Sequence, residues 1–143
     1  MKLKHQFVEF MPDEIQEGVV YISLKYKSVI HKCACGCGNE VNTPLHPTGW
    51  KLLYDGESVS LKPSIGNWSY DCQSHYWITK DEIRWSNSWT KEEIDSVRKI
   101  ESFERKEYFR NKHSLNSVDN FKEKSTYSKL KSKFKNFIQG FFY

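Results

Sequence analysis

The first 87 residues carry short β-branched and aromatic runs separated by turn residues, the pattern of strands. Val19 to Tyr26 is strand-like, and Ser28 to His31 continues an extended path into a cysteine-bearing loop. Trp50 to Tyr54 and Ser58 to Leu61 flank Asp55-Gly56, the strongest short hairpin signal in the chain. Tyr76 to Thr79 and Ile83 to Trp85 flank Lys80-Asp81-Glu82 and predict a second hairpin. Ser64 to Ser74, with Gly66, Trp68 and three serines, predicts an ordered polar loop.

The period changes after Trp89. Thr90-Lys91-Glu92-Glu93 is a capping box, and Ile94, Val97, Ile100 and Phe103 or Glu104 mark a narrow apolar stripe on a helix running through about Asn111. A polar hinge from His113 to Ser125 follows. Thr126 to Phe142 then sets seven large apolar residues at three- and four-residue spacing among lysines, a basic amphipathic helix. The expected organisation is a mainly β fold: a small antiparallel β domain over 1–89 with a metal site between two loops, a packing helix over 90–112, and a hinge and amphipathic helix over 113–143, α+β overall.

Composition refines this. A chain of 143 residues has room for one modest core. Aromatics make up 15%, and Trp50, Trp68, Trp77 and Trp85 fall in the β segment, where they are expected to form the core, with an aromatic binding face as the alternative. Net charge is confined to the tail: residues 113–143 hold six Lys against Asp119 and Glu123, whereas residues 1–112 balance sixteen basic against sixteen acidic side chains. Six lysines without arginine make a weak nucleic-acid footprint, so no nucleic acid is expected. The amphipathic tail has three destinations: its own domain, which is the expected one, an anionic membrane surface, or a groove on a partner protein. The chain opens Met1-Lys2-Leu3-Lys4 without an apolar stretch of signal-peptide length, and cytoplasmic localisation is the expectation.

The chemistry concentrates in two runs, Cys33-Ala34-Cys35-Gly36-Cys37-Gly38 and Cys72-Gln73-Ser74-His75, which hold every cysteine of the chain. Ligands clustered at two distant loops suit a metal held between them, whereas disulfides within one run would close strained rings. Cys72 and His75 suit one tight turn. Gly36 and Gly38 let the backbone wrap around Cys35 and Cys37. The expected ligands are therefore Cys35, Cys37, Cys72 and His75, with Cys33 in reserve, and His31 and His46 weaker. Three thiolates and an imidazole favour zinc; a 2Fe–2S cluster is the alternative, since Cys72-x-x-His75 is similar to one loop of Rieske domains, although the first loop is not.

The polar loop offers a second chemistry. Ser64, Ser69 or Ser74 could act as a nucleophile with a histidine as base. His75 cannot both bind zinc and serve freely as that base, so a hydrolase would turn to His31 or His46, with Asp71 or Asp55 orienting it. A catalytic zinc on Cys37, Cys72 and His75 with Glu40 as base is a minor reading.

Four segments taken in order, the cysteine run, Pro44-x-x-Pro47-Thr48-Gly49-Trp50, Ser64-Ile65-Gly66-Asn67-Trp68 and Cys72-Gln73-Ser74-His75-Tyr76-Trp77-Ile78, resemble a bacterial domain-of-unknown-function family numbered about 6527, over roughly residues 5–87. The resemblance implies a role in a bacterial ubiquitin-like modification system, with a ubiquitin-like protein or its activating or conjugating enzymes as partners. The function expected is a zinc-binding accessory or recognition protein of that system, with a peptidase of ubiquitin-like precursors or conjugates as the alternative.

Overall fold

The computed structural model describes residues 1–114. The tail and most of the hinge therefore lie outside the described residues. Two compact units divide the chain, Met1–Arg105 and the residues from Lys106 onward.

The first unit holds two four-stranded sheets. One contains β1 (Lys4–Phe7), β2 (Val19–Ser23), β3 (Ser28–Lys32) and β4 (Glu40–Pro44), in that order. The other contains β5 (Lys51–Tyr54), β6 (Val59–Gly66), β7 (His75–Thr79) and β8 (Glu82–Trp85), also in chain order. Every pairing is antiparallel except β1 with β2. The mainly β fold read from the sequence is the fold observed.

Alternation drives the architecture. Val20, Ile22, Val29 and Val41 of the first sheet and Val59, Leu61, Ile65, Tyr76, Ile78 and Ile83 of the second point inward and form one apolar cluster. No tryptophan is among its buried members, and only Trp50 packs against it, which corrects the expected core. Trp85 is 55% exposed, and Trp50, Trp68 and Trp77 are half-buried. Branched aliphatic side chains and Tyr76 fill the space between the sheets, which leaves the larger indoles outside it.

Both predicted hairpins form. Asp55 Oδ1 accepts from the backbone N–H of Glu57 and Ser58 at 3.0 and 2.7 Å, closing the first turn. Lys80 and Asp81 take φ of 50° and 61°, the left-handed pair that a two-residue hairpin turn matched to strand twist requires. Buried Asp81 also accepts from Val59 N–H at 3.0 Å and meets His5 at 2.8 Å, tying both sheets to the turn.

Two strands went unforeseen, β1 and β4. The expected loop from Ser64 to Ser74 begins later than predicted, because Ser64, Ile65 and Gly66 belong to β6. Between the pairs Leu61–Ile78 and Ile65–Tyr76, β6 advances four residues while β7 advances two, a bulge in the ladder. Helix α1 (Lys91–Ser114) opens with the predicted box: Glu93 Oε2 accepts from Thr90 N–H at 2.7 Å and Thr90 Oγ1 from Glu93 N–H at 3.3 Å. Ile94 is buried and Val97 and Ile100 half-buried. The stripe continues through Glu104 rather than through Phe103, which is 40% exposed.

Candidate functional site

The loop between β3 and β4 carries Cys33, Cys35 and Cys37. It turns at Gly36 and Gly38, with φ of 82° and 80°, and is closed by Cys33 N–H donating to Asn39 O at 2.8 Å. The loop between β6 and β7 carries Cys72 and is closed by Asn67 N–H donating to Ser74 O at 2.9 Å. Tyr70 O–H donates to Glu40 O at 2.6 Å and holds this second loop against the start of β4.

Together the two loops bring Cys33, Cys35, Cys37 and Cys72 into one group, with all four sulfurs within 4.8 Å of one another. Individual separations are 3.3 Å for Cys33–Cys35, 3.9 Å for Cys33–Cys72 and 3.8 Å for Cys37–Cys72. A tetrahedral ion with sulfur bonds of about 2.3 Å has edges of roughly 3.8 Å, so the group can hold a metal ion. The Cys37 thiol is lowered to about 7, first by the Asn39 backbone and then by Cys35. Cys35 is raised to about 12 by desolvation, and next by its hydrogen bond with Cys33. Thiols this close titrate as a group rather than singly.

His75 stands outside this group, and the reserve Cys33 is inside it. His75 Nε2 lies 2.8 Å from Ser64 Oγ. Its Nδ1 lies 3.3 Å from the carbonyl oxygen of Asn87. A carbonyl can only accept, so Nδ1 carries the proton and the Nε2 lone pair faces the Ser64 hydroxyl. The sheet makes this possible: Gly66 pairs with His75, and Ser64, two residues earlier on β6, shares the outer face with both. Burial, opposed by the Asn87 carbonyl, lowers the pKa of His75 below 6.5 and keeps the imidazole neutral at neutral pH.

Indoles surround the ring. Trp68 is 4.9 Å from His75, Trp89 4.6 Å and Trp77 5.6 Å between centroids, and Trp68 stacks on Trp89 at 5.6 Å. Trp68 lies directly over Gly66, where a Cβ would overlap the indole.

The other serines lie elsewhere. Ser74 is buried, and its Oγ sits 3.0 Å from Cys33 Sγ and 2.8 Å from Asn67 Nδ2. Ser69 is exposed on the loop. His31 is 1% exposed and bonded to Tyr76 O–H at 2.9 Å, and His46 meets Thr48 at 2.9 Å. Asn67, Asn87 and Trp89 escaped the sequence reading. A backbone carbonyl leaves no side-chain signature, and Trp89 was taken only as the point where composition changes.

No curated protein and no solved structure matches the chain. A family model does, over residues 7–86, which span both cysteine runs, Ser64 and His75. It bears out the association with a ubiquitin-like modification system that the motifs implied, under a different family name from the one they suggested. By that match, which covers more than half of its length, the chain belongs to the family described as bacterial ubiquitination-like system serine protease (BubE).

Proposed function

We propose that this chain is a serine peptidase acting on ubiquitin-like proteins or their conjugates, with Ser64 as nucleophile and His75 as general base. One observation carries the reading: the 2.8 Å approach of His75 Nε2 to Ser64 Oγ in the tautomer that leaves Nε2 free to accept. The objection raised by the sequence, that His75 is needed by the metal, loses its force because Cys33 can serve as the fourth sulfur.

The steps follow from the geometry. As Ser64 Oγ attacks the scissile carbonyl carbon, its proton passes to His75 Nε2. The Asn87 carbonyl holds the ring through Nδ1–H and stabilises the imidazolium, in the place a carboxylate occupies in a three-residue relay. The tetrahedral intermediate collapses as Nε2–H protonates the leaving amine, giving an acyl ester on Ser64. His75 then takes a proton from water, hydroxide adds to the ester, and Ser64 regains its proton as the acid departs. The indoles of Trp68, Trp77 and Trp89 restrict the ring's rotation and shield it from solvent.

The four thiols are proposed to bind a structural zinc ion, which when bound would clamp the two loops together and take no part in the proton transfers. The accessory or recognition reading keeps the same partners without the chemistry. Cleavage of a ubiquitin-like precursor separates the two: the peptidase reading requires loss of cleavage in Ser64→Ala and retention in Ser69→Ala, and a protein that binds the precursor without cleaving it supports the accessory reading. Among the described residues, no helix is long and apolar enough to cross a membrane.

A further inference from the structure

The outer face of the β5–β8 sheet is unevenly charged. Lys62 lies two residues before Ser64 on β6, at the start of the bulge, and Lys51 stands directly opposite Lys62 on β5. Arg84 stands opposite Trp77, which is two residues after His75 on β7. All three cations are exposed, and none forms an ion pair among the described residues. The carboxylates of this sheet gather at its other end, Asp55 and Glu57 in the β5–β6 turn and Glu82 at the start of β8. In the flanking segments, Glu93 is engaged in the helix cap and Asp71 adjoins Cys72 in the thiol loop.

Two ammonium groups facing one another across strands repel, and without a carboxylate between them they concentrate positive potential beside the Ser64 end of β6. We infer that this basic end of the sheet is the substrate platform, and that it seats an acidic segment of the protein substrate, with Asp or Glu side chains next to the bond Ser64 attacks. The inference rests on the peptidase reading of Ser64 and His75, because an acyl-transfer site takes a polypeptide and the anions of a polypeptide are its carboxylates. The geometry suits an extended segment crossing the strand ends, with Lys51 and Lys62 on one side of the serine and Arg84 on the other.

The test uses the full chain carrying Ser64→Ala and two fluorescein-labelled peptides, each with a central pair of alanines, flanked in one by Asp and Glu and in the other by Lys. Fluorescence anisotropy should show the acidic peptide binding at least tenfold more tightly, and weakening as salt is raised. The preference should vanish when Lys62→Glu and Arg84→Glu are added. That variant should fold, since both positions are exposed and Lys62→Glu turns a repelling cross-strand pair into an attracting one; its melting temperature should be no lower. Equal binding of the two peptides would overturn the inference. So would a preference that survives Lys62→Glu and Arg84→Glu, which would place the binding on other lysines. In parallel, the unsubstituted chain is treated with a fluorophosphonate that labels activated serines. Labelling of Ser64 without a peptide preference overturns the platform alone; a preference without labelling removes the peptidase reading and with it the substrate role, leaving only a basic face that binds acidic peptides.

Discussion

Ser64 and His75 meet across the outer face of β6 and β7, Oγ to Nε2 at 2.8 Å, with the far nitrogen of the imidazole committed to the Asn87 carbonyl. Neither contact involves the four thiols of Cys33, Cys35, Cys37 and Cys72, which could hold a metal ion. The two proposed chemistries thus fall three residues apart, the thiol of Cys72 in the loop and the imidazole of His75 at the start of β7.

The first prediction is a pH profile. Only the neutral imidazole can take the Ser64 proton, and burial holds the His75 pKa below 6.5. The value of kcat/KM should therefore be flat around neutrality and fall as pH drops through that lowered pKa. His75→Gln should remove the limb and reduce kcat by about 10²- to 10⁴-fold, the usual worth of a general base. An acidic limb centred above 6.5 would contradict the assignment.

A second prediction concerns Gly66. A Cβ there would overlap the Trp68 indole, which packs on His75, so Gly66→Ala must displace the ring that steadies the base. Small displacements at a reacting centre cost about 10²-fold in rate. We expect kcat to fall by that order while KM and bound metal stay unchanged. Unaltered kcat would show that Trp68 is not needed to hold His75.

Metal retention provides a third. Protein prepared with zinc should hold about one ion per chain on four thiolates. Cys33→Ser and Cys72→Ser should each lose it, and His75→Ala should keep it, as read by elemental analysis. The ligand set expected from spacing gives the reverse for Cys33 and His75. A brown protein holding two irons would defeat the choice of zinc.

The buried polar network linking the thiols to the sheet yields a fourth. Asn67 Nδ2 donates to Ser74 Oγ at 2.8 Å and to Tyr76 O–H at 3.4 Å, and Ser74 in turn meets Cys33. Asn67→Leu leaves these buried groups short of a donor, at a cost of about 1–3 kcal/mol. Chemical denaturation should show that loss with unchanged m-value. A variant as stable as the parent would mean that the network contributes nothing.

How much of this was legible in the sequence follows from the range of each interaction. The hairpins were, because Asp55-Gly56 and Lys80-Asp81 encode turns locally and the flanking runs alternate. The thiol cluster was, because Cys35, Cys37 and Cys72 fall in turns rich in glycine and polar residues; the sulfur of Cys33, at the first loop position after β3, completed it. The dyad was not. Ser64 reads as loop because Pro63 and Gly66 interrupt an apolar run, yet the strand continues through the bulge, and the offset between β6 and β7 decides which histidine the serine faces. Strand β4 was missed because only Val41 and Thr43 point inward. Large indoles suggested a core, but two-residue periodicity puts Trp77 on the opposite face from Tyr76 and Ile78, beside His75.

The most direct test of the central claim is peptide mapping by mass spectrometry after fluorophosphonate treatment of the full chain. One adduct is expected, on Ser64, strongly reduced in His75→Gln and retained in Cys72→Ser refolded to the native spectrum. An adduct on Ser69 or Ser74, or cleavage of a ubiquitin-like precursor that persists in Ser64→Ala and stops with chelator, would contradict it.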